Sequence, residues 1–97
     1  MKVNWMPRAV KSFFKIGDFL EENFGEKQTD EFIQQVGRTI ERIQKQTNMY
    51  KATKKETIRK GFVNKYVSLF YKVKTQKKEI DLLEFWDNRQ DPKKQKH

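Results

Sequence analysis

The sequence predicts an α+β fold in which a strand and a two-helix hairpin precede a three-stranded antiparallel meander. Two apolar stripes with the period of an α-helix occupy residues 7–43. Three runs with the two-residue period of a β-strand follow between residues 57 and 86. Because each helix has one apolar side, we expect the hairpin to cover one face of the sheet and to leave the second face uncovered.

The first strand and the first helix are predicted from residues 2–24. Val3 and Trp5 alternate with polar neighbours, and Pro7 suits the first position of a helix. We expect the helix to end at Gly25 and to turn two of its apolar residues, Phe13 and Leu20, toward the sheet. Apolar residues recur in it at spacings of 4, 3, 4 and 4, at Ala9, Phe13, Ile16, Leu20 and Phe24.

The second helix is predicted to follow this glycine and to run antiparallel to the first. Its apolar stripe begins at Phe32 or Ile33 and continues through Val36, Ile40 and Ile43. Acidic residues near its start favour a helix terminus there, since they interact well with the positive end of the helix dipole. We expect Val36 and Ile40 to face the sheet.

The strands of the meander are predicted at 57–63, 66–73 and 79–86. Asn64 and Lys65 form a two-residue connection between the first two of them, and Asn suits the positive φ of a tight hairpin. A polar loop at 47–55 is expected to join the helices to the sheet. The prediction is a single domain over residues 1–97, in which residues 88–97 form a flexible tail.

Large aromatic side chains are expected to supply much of the buried area, because the chain has only four Leu residues. The rings assigned to the core are Trp5, Phe13, Phe32, Phe62, Phe70 and Tyr71.

The composition excludes several classes of protein. The chain has no Cys, which excludes a disulfide framework, a thiolate nucleophile and a Cys-ligated metal. We expect no metal and no cofactor. No apolar run approaches the roughly 18 residues of a membrane span, and the N-terminus lacks an apolar signal core. We therefore expect a cytoplasmic protein that does not bind a membrane.

The net charge of +9 is unevenly distributed along the chain. Residues 1–48 carry 8 basic and 7 acidic side chains, whereas residues 49–97 carry 14 basic and 6 acidic ones. The C-terminal half therefore attracts phosphates or an acidic protein partner. The alternative interpretation is a lysine-rich, solvated surface without a function of its own.

Four segments, in this order, resemble the ParE/RelE superfamily of bacterial type II toxins, and in particular its ParE-like branch. They are WMPRA at 5–9, IR at 58–59, YVSLFYKV at 66–73 and FWDNRQDP at 85–92. The resemblance covers nearly the whole chain and implies the RelE/ParE-like toxin fold. It also implies a cognate antitoxin that neutralises the toxin and can form a hetero-oligomer with it.

The resemblance leaves two cellular targets open. ParE-like toxins inhibit DNA gyrase without being nucleases, whereas RelE-like toxins cut mRNA on the ribosome. A third interpretation is a protein with the toxin fold that has lost its toxicity.

Only half of the ribonuclease residues of RelE-like toxins have a counterpart here. Arg59 and Arg89 match basic positions of that set, but Gly61 and Ser68 stand where two other cations are needed, and no Tyr follows Tyr71. RNA cleavage needs cations for the charge that develops on phosphorus, and a base and an acid for proton transfer. We therefore assign no catalytic residue, give His97 no role, and favour a non-enzymatic toxin over the ribonuclease alternative.

Target binding is assigned to residues on or after the later strands: Arg59, Lys60, Lys72, Trp86 and Arg89. We expect Arg59 and Arg89 to lie near each other on or beside the uncovered face, where each guanidinium can hold a phosphate or carboxylate at two points. The alternatives are that an arginine pairs with a nearby carboxylate at Asp87, Asp91 or Glu84, and that Trp86 packs at the strand end.

Overall fold

The computed structural model describes residues 1–47, 53, 57–90, 92–95 and 97. It confirms the predicted α+β order of a strand, two helices and three strands. The predicted loop at 47–55 lies outside the described residues, apart from residues 47 and 53. The elements are β1 (Lys2–Trp5), α1 (Pro7–Phe24), α2 (Glu26–Lys45), β2 (Ile58–Phe62), β3 (Val67–Lys74) and β4 (Glu79–Asp87), with short 3-10 turns at Thr75–Lys77 and Pro92–Lys94.

The four strands form one sheet in the order β1-β4-β3-β2. β2, β3 and β4 pair antiparallel as the predicted meander, whereas β1 joins β4 in parallel. A parallel pair needs a long crossover, which the two helices and the first two strands of the meander provide. This order places β1 and β2 at the two edges of the sheet.

The ends of α1 are determined by backbone chemistry. Pro7 is its first residue, and the Met6 N–H just before it donates to the Leu82 carbonyl oxygen of β4 at 3.0 Å. At the other end Gly25 has φ +91°, a conformation that side chains with a Cβ rarely adopt, and its N–H donates to the carbonyl oxygens of Leu20 and Glu21. Gly25 therefore allows the sharp turn into α2.

The main core lies between the helices and the sheet. Phe32 is buried and Ile33 is exposed, which decides between the two possible starts of the α2 stripe. The predicted sheet-facing residues are confirmed, since Val36 is buried and Phe13, Leu20 and Ile40 pack against the same cluster. This cluster contains Ala9, Phe32, Val36, Ile43, Val63, Val67, Leu69, Tyr71, Ile80, Leu82 and Phe85.

The second face of the sheet, here called the open face, has a smaller apolar cluster. Ile58, Phe70 and Trp86 are buried there, and Leu83 packs against them. Leu83 is an extra residue in β4, because the register passes from Phe70 opposite Glu84 to Tyr71 opposite Leu82. A β-bulge of this kind changes which side chains reach each face, and the sequence pattern does not reveal it.

The turn between β2 and β3 differs from the tight hairpin predicted at Asn64. The connection spans residues 63–66. Asn64 does not have the predicted positive φ, since among the described non-glycine residues it is Lys78 that has one. The Asn64 side chain shapes the turn instead, since its Oδ1 accepts the N–H groups of Tyr66 and Val67 at 2.8 and 2.9 Å. Its Nδ2 donates to Gln35 Oε1 at 2.9 Å, which ties the turn to α2.

The prediction of a core position is wrong for two of the six rings. Trp5 and Phe62 are substantially exposed, whereas Phe32, Phe70 and Tyr71 are buried. The two exposed rings lie on the edge strands β1 and β2, which have a neighbouring strand on one side only.

Candidate functional site

Arg89 is held in a fixed orientation just after β4. Asp87 Oδ1 accepts the Arg89 backbone N–H at 2.9 Å and its Nε–H at 3.0 Å, while Oδ2 accepts from a terminal guanidinium nitrogen at 2.8 Å. The hydrogen bond from the Arg89 side chain holds the pKa of Asp87 below its ordinary value, although partial burial acts in the opposite direction. The pairing with Asp87 that the sequence offered as an alternative is therefore present.

Two aromatic rings also contact the Arg89 guanidinium. Its Cζ lies 5.7 Å from the centroid of Phe19 on α1 and 5.3 Å from the centroid of Tyr66 in the β2–β3 turn. Lys65 Nζ lies 5.0 Å from the centroid of the Tyr66 ring. These are cation–π distances, and they leave about half of the Arg89 side chain exposed for a partner.

Arg89, Tyr66 and Lys65 line one wall of a groove of about 760 Å³, here called the Arg89 groove. Its other wall is the C-terminal part of α1 and the N-terminal part of α2. Phe19, Phe24 and Tyr66 are between 43 and 60% exposed, so the groove presents apolar surface to solvent. Lys15 and Lys65 lie at its lining together with Arg89, against the carboxylates of Glu31 and Asp87.

The open face carries rows of side chains that run across three strands. One row is Lys60, Phe70 and Glu84, and the Lys60 Nζ lies 5.8 Å from the centroid of the Phe70 ring. The next row pairs Lys72 with Ile58 on one side and with Asp81 on the other. Of the predicted target contacts, the register therefore places Lys60, Lys72 and Trp86 on this face.

A buried carboxylate anchors one end of the open face. Asp81 pairs with Lys74 Nζ at 2.7 Å, and its Oδ1 accepts from Asn4 Nδ2 at 3.0 Å. Burial acts to raise the pKa of Asp81, but the hydrogen bonds from Lys74 and Asn4 outweigh it and hold the pKa below its ordinary value. The contact joins β1, β3 and β4.

Trp86 is packed rather than presented to solvent. Its side chain belongs to the open-face cluster with a residue exposure of 6%, and its Nε1 has no hydrogen-bond partner among the described residues. A partner reaches this ring only when the chain around it moves.

His97 covers part of the same face. Its Nε2 lies 3.0 Å from Glu84 Oε1, and its ring centroid lies 5.0 Å from that of Phe70. No role is predicted for His97 from the sequence, and the flexibility of residues 88–97 stays a prediction. The contact brings an imidazole, a carboxylate and the lysine of the central row together around one phenyl ring.

Comparison with known proteins identifies the family. Residues 3–92 match the sequence model of the ParE toxin of the type II toxin–antitoxin system parDE. The chain belongs to the ParE toxin family. Among solved structures, one chain of the chromosomal ParDE toxin–antitoxin system from P. aeruginosa has 19% identity and a TM-score of 0.74, over 90% of this chain and 95% of that chain. At this identity the likeness shows the fold alone. No curated protein matches.

Membership of the ParE toxin family makes an antitoxin the implied partner, as the resemblance suggested. The structure corrects one expected feature of the site, because Arg59 and Arg89 do not lie near each other on the uncovered face. Arg59 lies opposite Tyr71, on the face of the sheet that the helices cover. Arg89 lies near the Val67 end of β3, because Val67 pairs with Asp87. Tyr71, the partner of Arg59, is four residues further along β3, a distance of about 13 Å.

The two positions that depart from the RelE-like ribonuclease set, Gly61 and Ser68, are buried in this ParE family member. Ser68 is fully buried, and its hydroxyl donates to Asn88 Oδ1 at 2.8 Å. Gly61 lies opposite Leu69 on the helix-covered face.

The described parts of the chain contain no group of three His, Asp or Glu side chains that could hold a metal ion. Within the same residues, neither helix is long and apolar enough to cross a membrane.

Sequence reasoning missed the rings that hold Arg89. Asp87 precedes Arg89 by two residues and was recognised as a possible partner, but Phe19 is 70 positions away in the chain. No local pattern connects α1 with the residue after β4, because the contact depends on how the helix crosses the sheet.

Proposed function

We propose that this chain inhibits growth by binding DNA gyrase, and that a cognate antitoxin neutralises it. The observation that carries the proposal is the family match over residues 3–92. The departures from the ribonuclease set at Gly61 and Ser68 favour the ParE-like target over the RelE-like one.

The antitoxin segment lies along the Arg89 groove. The exposed rings of Phe19, Phe24 and Tyr66 suit an amphipathic helix or strand that lays its apolar side into the groove. The excess of basic charge in the C-terminal half favours an acidic segment and steers its approach. Such a segment neutralises the toxin because it covers Arg89.

The predicted target contacts are Arg59, Lys60, Lys72, Trp86 and Arg89. They lie on different surfaces, so one flat contact does not reach all of them. Arg89 contributes the largest share of the binding free energy for the target. Asp87 and two rings orient its guanidinium before the target binds, while about half of the side chain stays accessible. Lys60 and Lys72 supply positive charge on the open face.

Growth inhibition by an Arg89→Ala variant tests this assignment. We expect induction of the wild-type chain to stop growth and the variant to allow it, with antitoxin binding largely intact, since the antitoxin contacts the whole groove. Arg38→Ala is the matched control, because Arg38 is an exposed arginine on α2 outside the groove. Equal toxicity of the wild type and the Arg89 variant contradicts the assignment.

The antitoxin part is tested by co-expression with the neighbouring open reading frame. A stable complex in moderate salt, with an acidic short protein, is the expected result. A strongly basic neighbour, or no complex, contradicts it.

A ribosome-dependent ribonuclease is the second candidate. The observation that favours it is the contact of His97 with Glu84 beside the Lys60 and Phe70 row, since an imidazole and a carboxylate are groups that move protons near pH 7. Codon-dependent cutting of mRNA on programmed ribosomes, abolished by His97→Ala, would promote it over gyrase binding.

A further inference from the structure

The outer side of α1 is a mostly apolar stripe that faces away from the Arg89 groove. Val10, Phe14 and Gly17 lie on it, with the exposed Glu21 between Val10 and Phe14 in the helical projection, and Val10 and Phe14 are 38 and 60% exposed. Lys11 and Asp18 flank it on one side, within an arc of about 120° at 100° per residue. The residues of α1 that line the groove lie outside this arc: Lys15, Ile16, Phe19, Leu20 and Phe24.

The charges of α1 are arranged against its own dipole. Arg8 and Lys11 lie near the N-terminus and Asp18, Glu21 and Glu22 near the C-terminus, with no acid in the first turn and no base in the last. This order lowers the stability of an isolated helix, because the positive end of the dipole meets cations. In the described part of the chain, none of these side chains lies within 4.0 Å of an opposite charge.

The antiparallel neighbour α2 does not offset this order. The acidic end of α1 joins the start of α2 through Gly25, and that start is itself acidic. Its carboxylates are Glu26, Asp30 and Glu31. The charge order on α1 therefore has no explanation within the hairpin.

Gly17 is a second feature that the fold of one chain does not require. A Cβ built at Gly17 meets no atom within 4 Å, and its φ lies outside the range that favours glycine. Glycine within a helix is less stable than alanine, so an unneeded glycine at this position is a cost. A glycine on an exposed helix stripe allows a second helix to approach closely.

We propose that the outer stripe of α1 docks on the outer stripe of a second copy of this chain, antiparallel and around a two-fold axis. An axis that passes between positions 14 and 15 places Lys11 of each copy opposite Asp18 of the other. It also brings the Phe14 ring beside Gly17 of the other copy. The charge order that is unfavourable in one α1 becomes complementary in an antiparallel pair.

Charge complementarity selects a second copy as the occupant. α1 carries three basic and three acidic side chains and is neutral, whereas residues 49–97 carry a net charge of +8 and repel a second copy. An 18-residue helix is about 27 Å long, and a contact of this length alone buries less than the roughly 800 Å² per partner of a standard interface. The dimer is therefore weak and reversible.

Sedimentation equilibrium of the full chain, over micromolar to millimolar concentrations, tests the proposal. The average mass of the wild type is expected to rise with concentration from 11.8 kDa toward twice that value. Asp18→Lys weakens the dimer about tenfold, because the two-fold axis repeats the Lys–Lys repulsion at two places. Lys11→Asp has a similar effect, and the double exchange of both residues restores the wild-type dimerisation constant.

Glu41→Lys is the matched control, since it adds the same charge at an exposed position of α2. Circular dichroism checks that each variant stays folded. The proposal is overturned if the wild type stays monomeric throughout, if Glu41→Lys weakens the dimer as much as Asp18→Lys, or if the double exchange fails to restore it.

Discussion

The two faces of the sheet differ in what holds them together. On the helix-covered face, eleven buried apolar residues from both helices, from β3 and β4, and from the β2–β3 turn form one cluster. On the open face, three buried apolar residues lie among charged neighbours, and side-chain pairs such as Lys74 with Asp81 connect the strands. The covered face therefore depends on shape and volume, whereas the open face depends on specific polar pairs.

This difference separates stability from recognition. The covered face accounts for most of the apolar burial, so substitutions there unfold the protein before they reveal a function. The open face and the Arg89 groove keep cations accessible on a rigid support. Function is best examined by substitutions on these two surfaces.

The largest effect is expected for Phe32→Ala on the covered side. Phe32 is almost fully buried and stacks on Phe13 at 5.6 Å, so its loss leaves a cavity and costs about 3–5 kcal/mol in the free energy of unfolding. Phe62→Ala, at an exposed ring of the edge strand β2, is the matched control, with an effect of about 0.5 kcal/mol or less. Urea unfolding monitored by circular dichroism measures both, and similar costs would show that the two faces do not differ.

An intermediate effect is expected for Asp81→Asn on the open face. The change removes a charged hydrogen-bond acceptor from Lys74 and Asn4 and costs about 1–2 kcal/mol. Folding lowers the pKa of Asp81. Its contribution to stability is therefore fully present above the ordinary carboxyl pKa of about 3.9, and it is lost as the pH falls from there through the lower pKa of the folded protein.

A pH series of unfolding free energies checks this sign. The difference between the wild type and Asp81→Asn should be constant near pH 7 and should shrink below about pH 4. A difference that grows toward acid would contradict the role of the ion pair.

The smallest effect is expected at the glycines of the hairpin. Gly17→Ala stabilises the monomer by about 0.5–1 kcal/mol, because it improves helix propensity and fills open space. Gly25→Ala is expected to do the opposite, since φ +91° strains a residue with a Cβ. Thermal melts at a concentration where the chain is monomeric compare them; a lower melting temperature for Gly17→Ala would show that the site is not open.

The helical hairpin could be predicted from the sequence almost residue by residue. Pro7 and Gly25 mark the ends of α1, and the spacing of apolar residues identifies the sides of both helices that face the sheet. These signals are local, so they do not depend on how distant parts of the chain meet. The exposure of Trp5 and Phe62 could not be predicted, because it depends on which strands are at the edges.

The site could be predicted only in part. Arg89 and its pairing with Asp87 follow from residues two positions apart, whereas the rings of Phe19 and Tyr66 reach it through the tertiary fold. Arg59 was assigned to the wrong surface, because the face of each β2 residue depends on its register with β3. The rows of the open face additionally depend on the bulge at Leu83, which no sequence period indicates.

Inhibition of DNA supercoiling by purified gyrase is the most direct test of the central claim. The wild-type chain is expected to inhibit supercoiling, Arg38→Ala to inhibit equally, and Arg89→Ala to require about tenfold more protein, as expected for the loss of a bidentate charged contact. Full supercoiling in the presence of excess wild-type chain, with arrest of translation instead, would contradict the claim.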